Sequence, residues 1–281
     1  SLTDAELAAL AADPDILPAG MLADAARRRD HGNRTTYARV ALLAIEGAGT
    51  AAIPAAAREI RLTAATESLD EAVAAVSTVV ARADGRVVSG FSWTDIERWA
   101  SGQGVSGVLE RLRRAGLVRL ADLPVDVVVD VESAVSSLVA AGFADIVVTV
   151  RQAGPIADRL SQFRRVETLA RRVSQVRALA PLPTAVNALR PSTGYDDVKA
   201  VALARLAAPG IAHVQVDWQR YGPKLAQVAL TFGADDLDGV SPLDDAPDGR
   251  RRAPLEELRR NIEAAGLVAV ERDGRFAVLA G

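Results

Sequence analysis

The sequence predicts an α/β fold built on a mostly parallel sheet. Short apolar runs, such as residues 125–131 and 144–150, are typical of strands that are buried on both faces. Other segments place apolar residues three and four positions apart, which is the pattern of a helix with one buried face; residues 68–82 are an example. The two kinds of segment alternate along the chain, and this order favours parallel strands joined by helices.

The clearest strand–helix–strand unit is residues 212–239. Its first part alternates apolar and polar side chains, which predicts a strand with Gln215 and Asp217 on one face. A helix follows Gly222 and has one apolar face, formed by Leu225, Val228, Ala229 and Phe232. A glycine ends this helix, and a short strand at residues 236–240 completes the unit.

The remaining elements are predicted from the same two periods and from their caps. Two short helices open the chain at residues 3–10 and 19–29, the first with a threonine N-cap. Further helices are predicted at residues 68–82, 108–115, 132–141, 155–180, 195–207 and 254–265. Predicted strands are residues 36–45, 87–91, 125–131, 144–150, 184–189, 212–218 and 236–240. Residues 267–279 alternate about an Asp-Gly pair, which predicts a hairpin.

Composition excludes several classes of protein. A net charge of −3 leaves no basic surplus of the kind that binds nucleic acid. The chain has no cysteine, which excludes disulfides, thiolate nucleophiles and cysteine-held zinc or iron–sulfur sites. It also has no apolar run of about eighteen residues and no recognisable signal peptide. We therefore expect a cytoplasmic protein that contacts neither membrane nor nucleic acid.

Polar side chains cluster where predicted strands end, which is where ligands bind in parallel α/β folds. We predict these ligand-binding residues: Gln215, Asp217, Trp218, Asp236, Asp238 and Asn187. Trp218 fits either core packing or stacking on a purine ring. His213 is expected to be a core residue with its hydrogen bonds satisfied. No spacing indicates a nucleophilic triad or a calcium loop, so we leave the catalytic residues unassigned and predict no metal site.

Three segments resemble a known enzyme family. They are GPKLAQVALTFGADDLDG with HVQVDW before it, RVVSGFSWTDIERWA, and VLERLRRAGL. They resemble the radical S-adenosylmethionine enzymes of the futalosine route to menaquinone, aminofutalosine synthase and dehypoxanthine futalosine cyclase, and the related deazaflavin (FO) synthase. The resemblance implies a TIM-barrel-like (β/α) barrel at residues 36–240. A helical lead-in would occupy residues 1–35, and a loop, helix and hairpin would pack on the barrel at residues 241–281.

The sequence departs from this family at three functional loops. In the family, the first strand leads into three cysteines that hold a four-iron four-sulfur cluster, but residues 46–64 contain no thiol. The family's next strand, with its Gly-Gly motif, is not recognisable, so we expect an incomplete barrel that lacks about one strand–helix unit. Residues 118–125 replace a glycine-rich loop. We expect no cluster, no binding of S-adenosylmethionine and no other cofactor.

Three functional hypotheses follow. The first is a degenerate, cluster-free member of the family that acts as a non-catalytic partner or regulator. It would hold a nucleoside-type intermediate, or dock on an active radical S-adenosylmethionine paralogue or another menaquinone-pathway protein. The alternative is an enzyme with cluster-independent acid–base chemistry on a related small molecule, carried by Asp217 and Asp238. A third hypothesis is a purely structural oligomer subunit.

Overall fold

Eight parallel strands close into a barrel. The computed structural model describes residues 2–63, 66–102, 104–151, 156–183, 194–245 and 254–279. The barrel strands are β1 (Arg34–Ala44), β2 (Glu59–Thr63), β3 (Val87–Ser92), β4 (Arg119–Pro124), β5 (Ile146–Val150), β6 (Val176–Pro181), β7 (His213–Asp217) and β8 (Asp236–Val240). Each strand pairs with the next, and β1 closes the ring because it pairs with both β2 and β8.

Helices surround the barrel and bury their apolar faces against it. They are α1 (Asp4–Ala12), α2 (Leu17–His31), α3 (Leu69–Arg82), α4 (Trp93–Trp99), α5 (Gly104–Arg114), α6 (Val131–Ala140), α7 (Ile156–Arg172), α8 (Tyr195–Ala207), α9 (Trp218–Leu230) and α10 (Pro254–Ala264). Side-chain caps fix several starts: Thr3 and Glu6 form a capping box on α1, and Ser68 accepts the backbone N–H of Glu71 in α3. None of the helices in the described ranges is long and apolar enough to cross a membrane.

The TIM-barrel-like fold is confirmed, but the prediction of an incomplete barrel is wrong. The strand that sequence reasoning overlooked is β2, whose residues were assigned to a loop. Glu59 in β2 is fully buried and points into the barrel, and Arg61 is nearly so. Residues 59–63 do alternate polar and apolar side chains, but the run is only five residues long and lies in the segment that the resemblance assigned to a cluster loop.

Two apolar runs were also misassigned. Residues 125–131 form no strand, because β4 lies just before them and Val131 already begins α6. Val129 is 94% exposed, whereas Val125 and Val128 are buried, so this run is a turn that adds single side chains to the core. The helix predicted at residues 155–180 ends at Arg172, and its last apolar residues belong to β6. Short apolar runs fit either period, which explains both errors. The strand predicted at residues 184–189 lies outside the described residues.

The C-terminal segment closes the amino-terminal end of the barrel. Strand β9 (Val268–Glu271) pairs in parallel with the start of β1, and the predicted hairpin reduces to one antiparallel bridge between Arg272 and Val278. Phe276 packs with apolar residues of β5 and β6 inside the barrel. Arg272 is fully buried, lies 4.1 Å from the centre of the Phe276 ring, and donates to both carboxylate oxygens of Asp236 at 2.6 and 2.7 Å.

The pairing of Arg272 with Asp236 predicts a large effect of one substitution. Arg272→Met leaves the buried Asp236 carboxylate without its cation, and breaking a buried pair in this way costs about 3–5 kcal/mol. The free energy of unfolding, measured with urea, should fall by that amount, and adding Asp236→Asn should restore part of it. Arg275→Met, at an exposed position three residues away, should stay within about 0.5 kcal/mol of the parent chain. Equal losses for the two single variants would contradict the role assigned to Arg272.

Candidate functional site

The carboxyl ends of the strands surround a cavity of about 310 Å³, which we call the mouth cavity. This volume lies at the lower end of the range for small-molecule sites. Its polar lining comes from the carboxyl-terminal halves of the strands and from the residues that follow them: Arg61, Thr63, Ser92, Asp95, Asp122, Thr149, Arg151, Gln215, Asp217, Gln219, Arg220 and Asp238. Apolar side chains, among them Leu62, Phe91 and Leu182, lie between these polar groups.

The floor of the mouth cavity is a chain of ion pairs. Arg61 donates to Asp238 at 2.7 and 3.0 Å and to Glu59 at 2.7 and 2.9 Å. Glu59 in turn accepts two hydrogen bonds from Arg119, at 2.8 and 2.9 Å. Barrel interiors are usually filled by branched apolar residues. Here the interior layer is charged, and each of these carboxylates faces a guanidinium group.

A second buried ion pair lies deeper in the barrel and centres on Asp236. Besides Arg272, this carboxylate accepts hydrogen bonds from the Gln215 amide at 2.8 Å and the Thr36 hydroxyl at 2.6 Å. The two layers together contain three carboxylates, Glu59, Asp236 and Asp238, and three arginines, Arg61, Arg119 and Arg272. Their charges cancel, which compensates for the large cost of removing ions from water.

The ion pairs fix Asp238 in its ionised form. Burial alone would raise the pKa of the Asp238 carboxyl, but the positive charge of Arg61 and its hydrogen bonds outweigh burial and hold this pKa well below its ordinary value. The pKa of Glu59 is lowered for the same reason, with Arg119 as the largest opposing influence. Asp238 therefore serves the mouth cavity as a fixed anion rather than as a group that exchanges protons.

Asp217 has the opposite behaviour. Burial, and then the nearby negative charge of Asp238, raise the pKa of the Asp217 carboxyl above its ordinary value. Asp217 is the N-cap of α9 and accepts the backbone N–H groups of Gln219 and Arg220, each at 3.0 Å. This side chain keeps 25% of its surface exposed, so it can both reach a ligand and bind a proton. The mouth cavity thus holds two carboxylates with pKa values shifted in opposite directions.

The wall of the mouth cavity opposite Asp217 is formed by a second group of polar residues. Arg151 follows β5 and donates to Asp122 at 2.6 Å and to the Ser92 hydroxyl at 3.0 Å. Thr149 also donates to Asp122, at 3.0 Å. Sequence reasoning missed this wall. The end of β5 was predicted correctly, so Arg151 could have been found, but Asp122 was hidden by the misplaced β4.

The structure separates the predicted site residues into three groups. Gln215, Asp217 and Asp238 line the mouth cavity. Asp236 lies one layer deeper, fully buried against Arg272. Trp218 is 7% exposed and packs in the main apolar core. Asn187 lies outside the described residues.

The resemblance described above implies a cluster loop in the segment between β1 and β2, but the donor atoms of this segment do not fit a cluster. It contains no thiol, and Ala48 and Ala57 are buried. Arg82 of α3 donates to the carbonyl oxygens of Ala48 and Ala51, and Arg86 donates to that of Pro54 at 3.0 Å. Two arginines therefore tie this segment to the barrel, while iron–sulfur clusters require cysteine thiolates at such a position.

Comparison with solved structures supports the fold class. Methylornithine synthase (PylB) superposes with a TM-score of 0.68 at 15% identity, covering 96% of this chain and 94% of that enzyme. The FeFe-hydrogenase maturase HydG from Carboxydothermus hydrogenoformans gives 0.67 at 13% identity, covering 98% of this chain and 77% of the maturase. At these identities the likeness shows the fold alone. The protein is a TIM-barrel-like α/β protein.

Curated relatives confirm the resemblance seen in the sequence. The 5-amino-6-(D-ribitylamino)uracil–L-tyrosine 4-hydroxyphenyl transferase of Archaeoglobus fulgidus is 41% identical over 95 residues, 31% of this chain and 27% of that protein. Aminodeoxyfutalosine synthase of Streptomyces coelicolor is 36% identical over 94 residues, 31% of this chain and 24% of that enzyme. No protein-family model matches the chain. The chain therefore resembles these enzymes over about a third of its length, spans about a quarter of theirs, and has no cysteine.

The opposite pKa shifts of Asp217 and Asp238 predict a contrast between matched variants. Asp238→Asn weakens the pairing of the mostly buried Arg61 and should lower the free energy of unfolding by about 3 kcal/mol at pH 7. Asp217→Asn should have little effect or stabilise, because asparagine also caps helices and the substitution removes a carboxylate whose charge is disfavoured. Urea unfolding of both variants and the parent chain measures these differences.

The pH dependence of the same variants should also differ in sign. The lowered pKa of Asp238 contributes stability that is present above the unfolded pKa, about 4, and lost as the pH falls through the folded value. The loss in free energy of unfolding caused by Asp238→Asn should therefore become smaller at acidic pH. The raised pKa of Asp217 favours the folded state at low pH, and this contribution is lost as the pH rises through its folded value. The stability of Asp217→Asn relative to that of the parent chain should accordingly increase above about pH 4. Parallel pH profiles would contradict the assignment.

Proposed function

We propose that this chain is a cluster-free relative of the futalosine-pathway radical S-adenosylmethionine enzymes that binds a nucleoside-type intermediate in the mouth cavity. It would act as a non-catalytic partner or regulator of an active paralogue or of another menaquinone-pathway protein. One observation carries the proposal: the barrel keeps a polar mouth cavity while the segment at the cluster position offers no thiol. We also propose that the protein is cytoplasmic, as expected from its sequence.

The chemistry of the mouth cavity suits a ligand that combines a flat ring with hydroxyl groups. Asp217 provides a hydrogen-bond acceptor on one wall, and the pair of Asp122 and Arg151 provides an acceptor and donors on the other. Apolar side chains between the walls, including Phe91 and Leu182, suit the faces of a heterocycle. The two relatives described above are named for a ribitylaminouracil and for an aminodeoxyfutalosine. A heterocycle with a sugar or ribityl chain is the ligand class that these walls suit best.

The pairing of charges favours binding over catalysis. Asp238 is bound by Arg61, and Asp122 by Arg151, so these carboxylates are engaged before any ligand arrives. The barrel is closed and its buried charges are balanced, so it needs no cofactor to keep the mouth cavity in shape. A role as a partner is then consistent with a chain that keeps the ligand-facing end of the barrel and has lost the cluster ligands.

The second candidate function, cluster-independent acid–base catalysis, rests on Asp217. Neighbouring carboxylates whose pKa values are shifted apart are typical of acid–base pairs in enzymes. Asp217, with its raised pKa, would exchange the proton, and Asp238 would remain the anion. This function requires turnover of the bound molecule, whereas the partner function does not.

A thermal-shift panel tests the proposed ligand class. A futalosine-type nucleoside at 100 times its dissociation constant should stabilise the chain by about 2.7 kcal/mol, an increase of a few degrees in the unfolding midpoint for a chain of this size. S-adenosylmethionine should give no shift. Asp217→Asn and Arg151→Met should reduce the nucleoside shift, and Glu263→Gln, on helix α10 and outside the lining of the mouth cavity, should not. No shift with any nucleoside, or an equal shift with S-adenosylmethionine, would contradict the proposal.

Two further measurements separate the candidate functions. Incubation of the chain with the stabilising nucleoside, followed by mass spectrometry, should recover the nucleoside unchanged; a product that disappears in Asp217→Asn would favour the enzyme. Affinity capture from native lysate should recover a radical S-adenosylmethionine paralogue or another menaquinone-pathway protein. Recovery of neither would exclude the partner role and leave nucleoside binding to be explained separately.

A further inference from the structure

The only two histidines of the chain meet at the amino-terminal end of the barrel, opposite the mouth cavity. His31 is the last residue of α2, and His213 is the first residue of β7. Their ring centres lie 5.6 Å apart. The closed barrel brings them together although 181 residues separate them in the sequence, because α2 leads into β1 and β7 lies two strands from β1 in the ring.

Both histidines face one carboxylate. Nδ1 of His213 lies 2.6 Å from Oδ2 of Asp235, and Nε2 of His31 lies 3.6 Å from the same oxygen. One potential ligand atom from each of the three residues falls within 4.8 Å of the other two. Two imidazole nitrogens and one carboxylate oxygen form a donor set that suits divalent first-row transition ions.

Outer contacts hold the donor atoms in place. The other oxygen of Asp235, Oδ1, accepts from the Arg205 guanidinium and from the backbone N–H of Val214 at 2.8 Å. These bonds direct Oδ2 towards the histidines. The His213 ring stacks on Phe276, with ring centres 5.1 Å apart and an interplanar angle of 14°. Partners of this kind orient the ligands in protein metal sites.

A permanent cation lies beside these donor atoms. The guanidinium of Arg205 pairs with Oδ1 of Asp235, and both side chains are buried. Arg205 already balances the charge of Asp235, and we expect weaker binding than at closed cysteine sites for that reason.

Space and access are also present. A cavity of about 130 Å³ is lined by the three residues and by Arg34, Thr36, Val270 and Val278. One water molecule occupies about 30 Å³ in the liquid, so a metal-bound water fits as a fourth ligand. The side chains of His31 and His213 are 21% and 14% exposed, which gives an ion a path from solvent.

We propose that His31, His213 and Asp235 bind a divalent first-row transition ion and join α2 to the starts of β7 and β8. Zinc is the test ion. Tetrahedral zinc with bonds of about 2.0–2.1 Å places its ligand atoms roughly 3.3 Å apart, so the contact between His213 and Asp235 would open by about 0.7 Å. The site lies at the amino-terminal end of the barrel strands, where residues of this fold contribute to stability rather than to catalysis. The proposal is independent of what the mouth cavity binds.

Metal binding to the untagged, chelator-treated chain tests this proposal. Equilibrium dialysis with zinc, followed by metal analysis, should give one ion per chain and an increase in the unfolding midpoint. Cobalt should give the visible absorption of a four- or five-coordinate site with nitrogen ligands. His31→Gln and His213→Gln should each weaken zinc binding by at least the 10–100-fold that loss of an outer partner costs. Glu46→Gln, which removes an exposed carboxylate elsewhere, should leave binding unchanged.

Three results would overturn the proposal. The parent chain alone can reject the site: absence of stoichiometric zinc binding, or a cobalt spectrum equal to that of the aquo ion, does so without any variant. Unchanged zinc affinity in the double histidine variant rejects these ligands. Circular dichroism establishes that each variant is folded, and His31→Gln, at the partly exposed end of α2, tests the site even where His213→Gln does not fold.

Discussion

The rest of the structure depends on the charged interior of the barrel. Glu59, Asp236 and Asp238 are buried and need cations, and Arg61, Arg119 and Arg272 supply them from two barrel strands and the C-terminal segment. A buried carboxylate without its partner would cost several kcal/mol, a large part of the total stability of a domain. This constraint explains why the C-terminal segment returns beneath the barrel, since Arg272 comes from it.

The same ion pairs determine what the mouth cavity can do. Arg61 faces downward to Glu59 and outward to Asp238, so the charged interior and the ligand-facing surface share one side chain. Asp238 is fixed as an anion, and its charge raises the proton affinity of Asp217. At the neighbouring segment between β1 and β2, Arg82 and Arg86 bind backbone carbonyls. The barrel thus supports its own mouth through arginines, which agrees with a chain that binds a ligand without a cluster.

The sequence predicted those elements whose hydrophobic pattern is clear and whose bounds are marked by caps or glycines. Strands β5, β7 and β8 and helix α3 follow their periods and were placed correctly. Strand β2 was missed although residues 59–63 alternate polar and apolar side chains, because the run is only five residues long and lies in the segment that the resemblance assigned to a cluster loop. Its buried Glu59 is paired with Arg119, 60 residues away in the sequence, and no local pattern contains that contact. No local pattern indicates the contact between His31 and His213 either, because only the closed barrel brings them together.

The candidate site was predictable only in part, for related reasons. Asp217 and Asp238 follow from the rule that ligands bind at strand ends, but their pKa shifts do not. The raised pKa of Asp217 depends on its burial and then on Asp238, and the lowered pKa of Asp238 depends on Arg61, which the sequence analysis had placed in a loop. The wall formed by Asp122 and Arg151 required the correct position of β4. Asp236 was predicted as a ligand-facing residue, and its pairing with Arg272 places it a layer deeper.

Hydrogen–deuterium exchange with and without a futalosine-type nucleoside tests the central claim most directly. The claim is that the cysteine-free barrel binds this ligand at its mouth. It predicts slower exchange at the backbone N–H groups of Gln219 and Arg220, which Asp217 caps, and in the peptide that follows Asp238. Exchange at β9, at the opposite end, should not change. Unchanged exchange at the mouth, or protection there by S-adenosylmethionine instead of the nucleoside, would contradict the account.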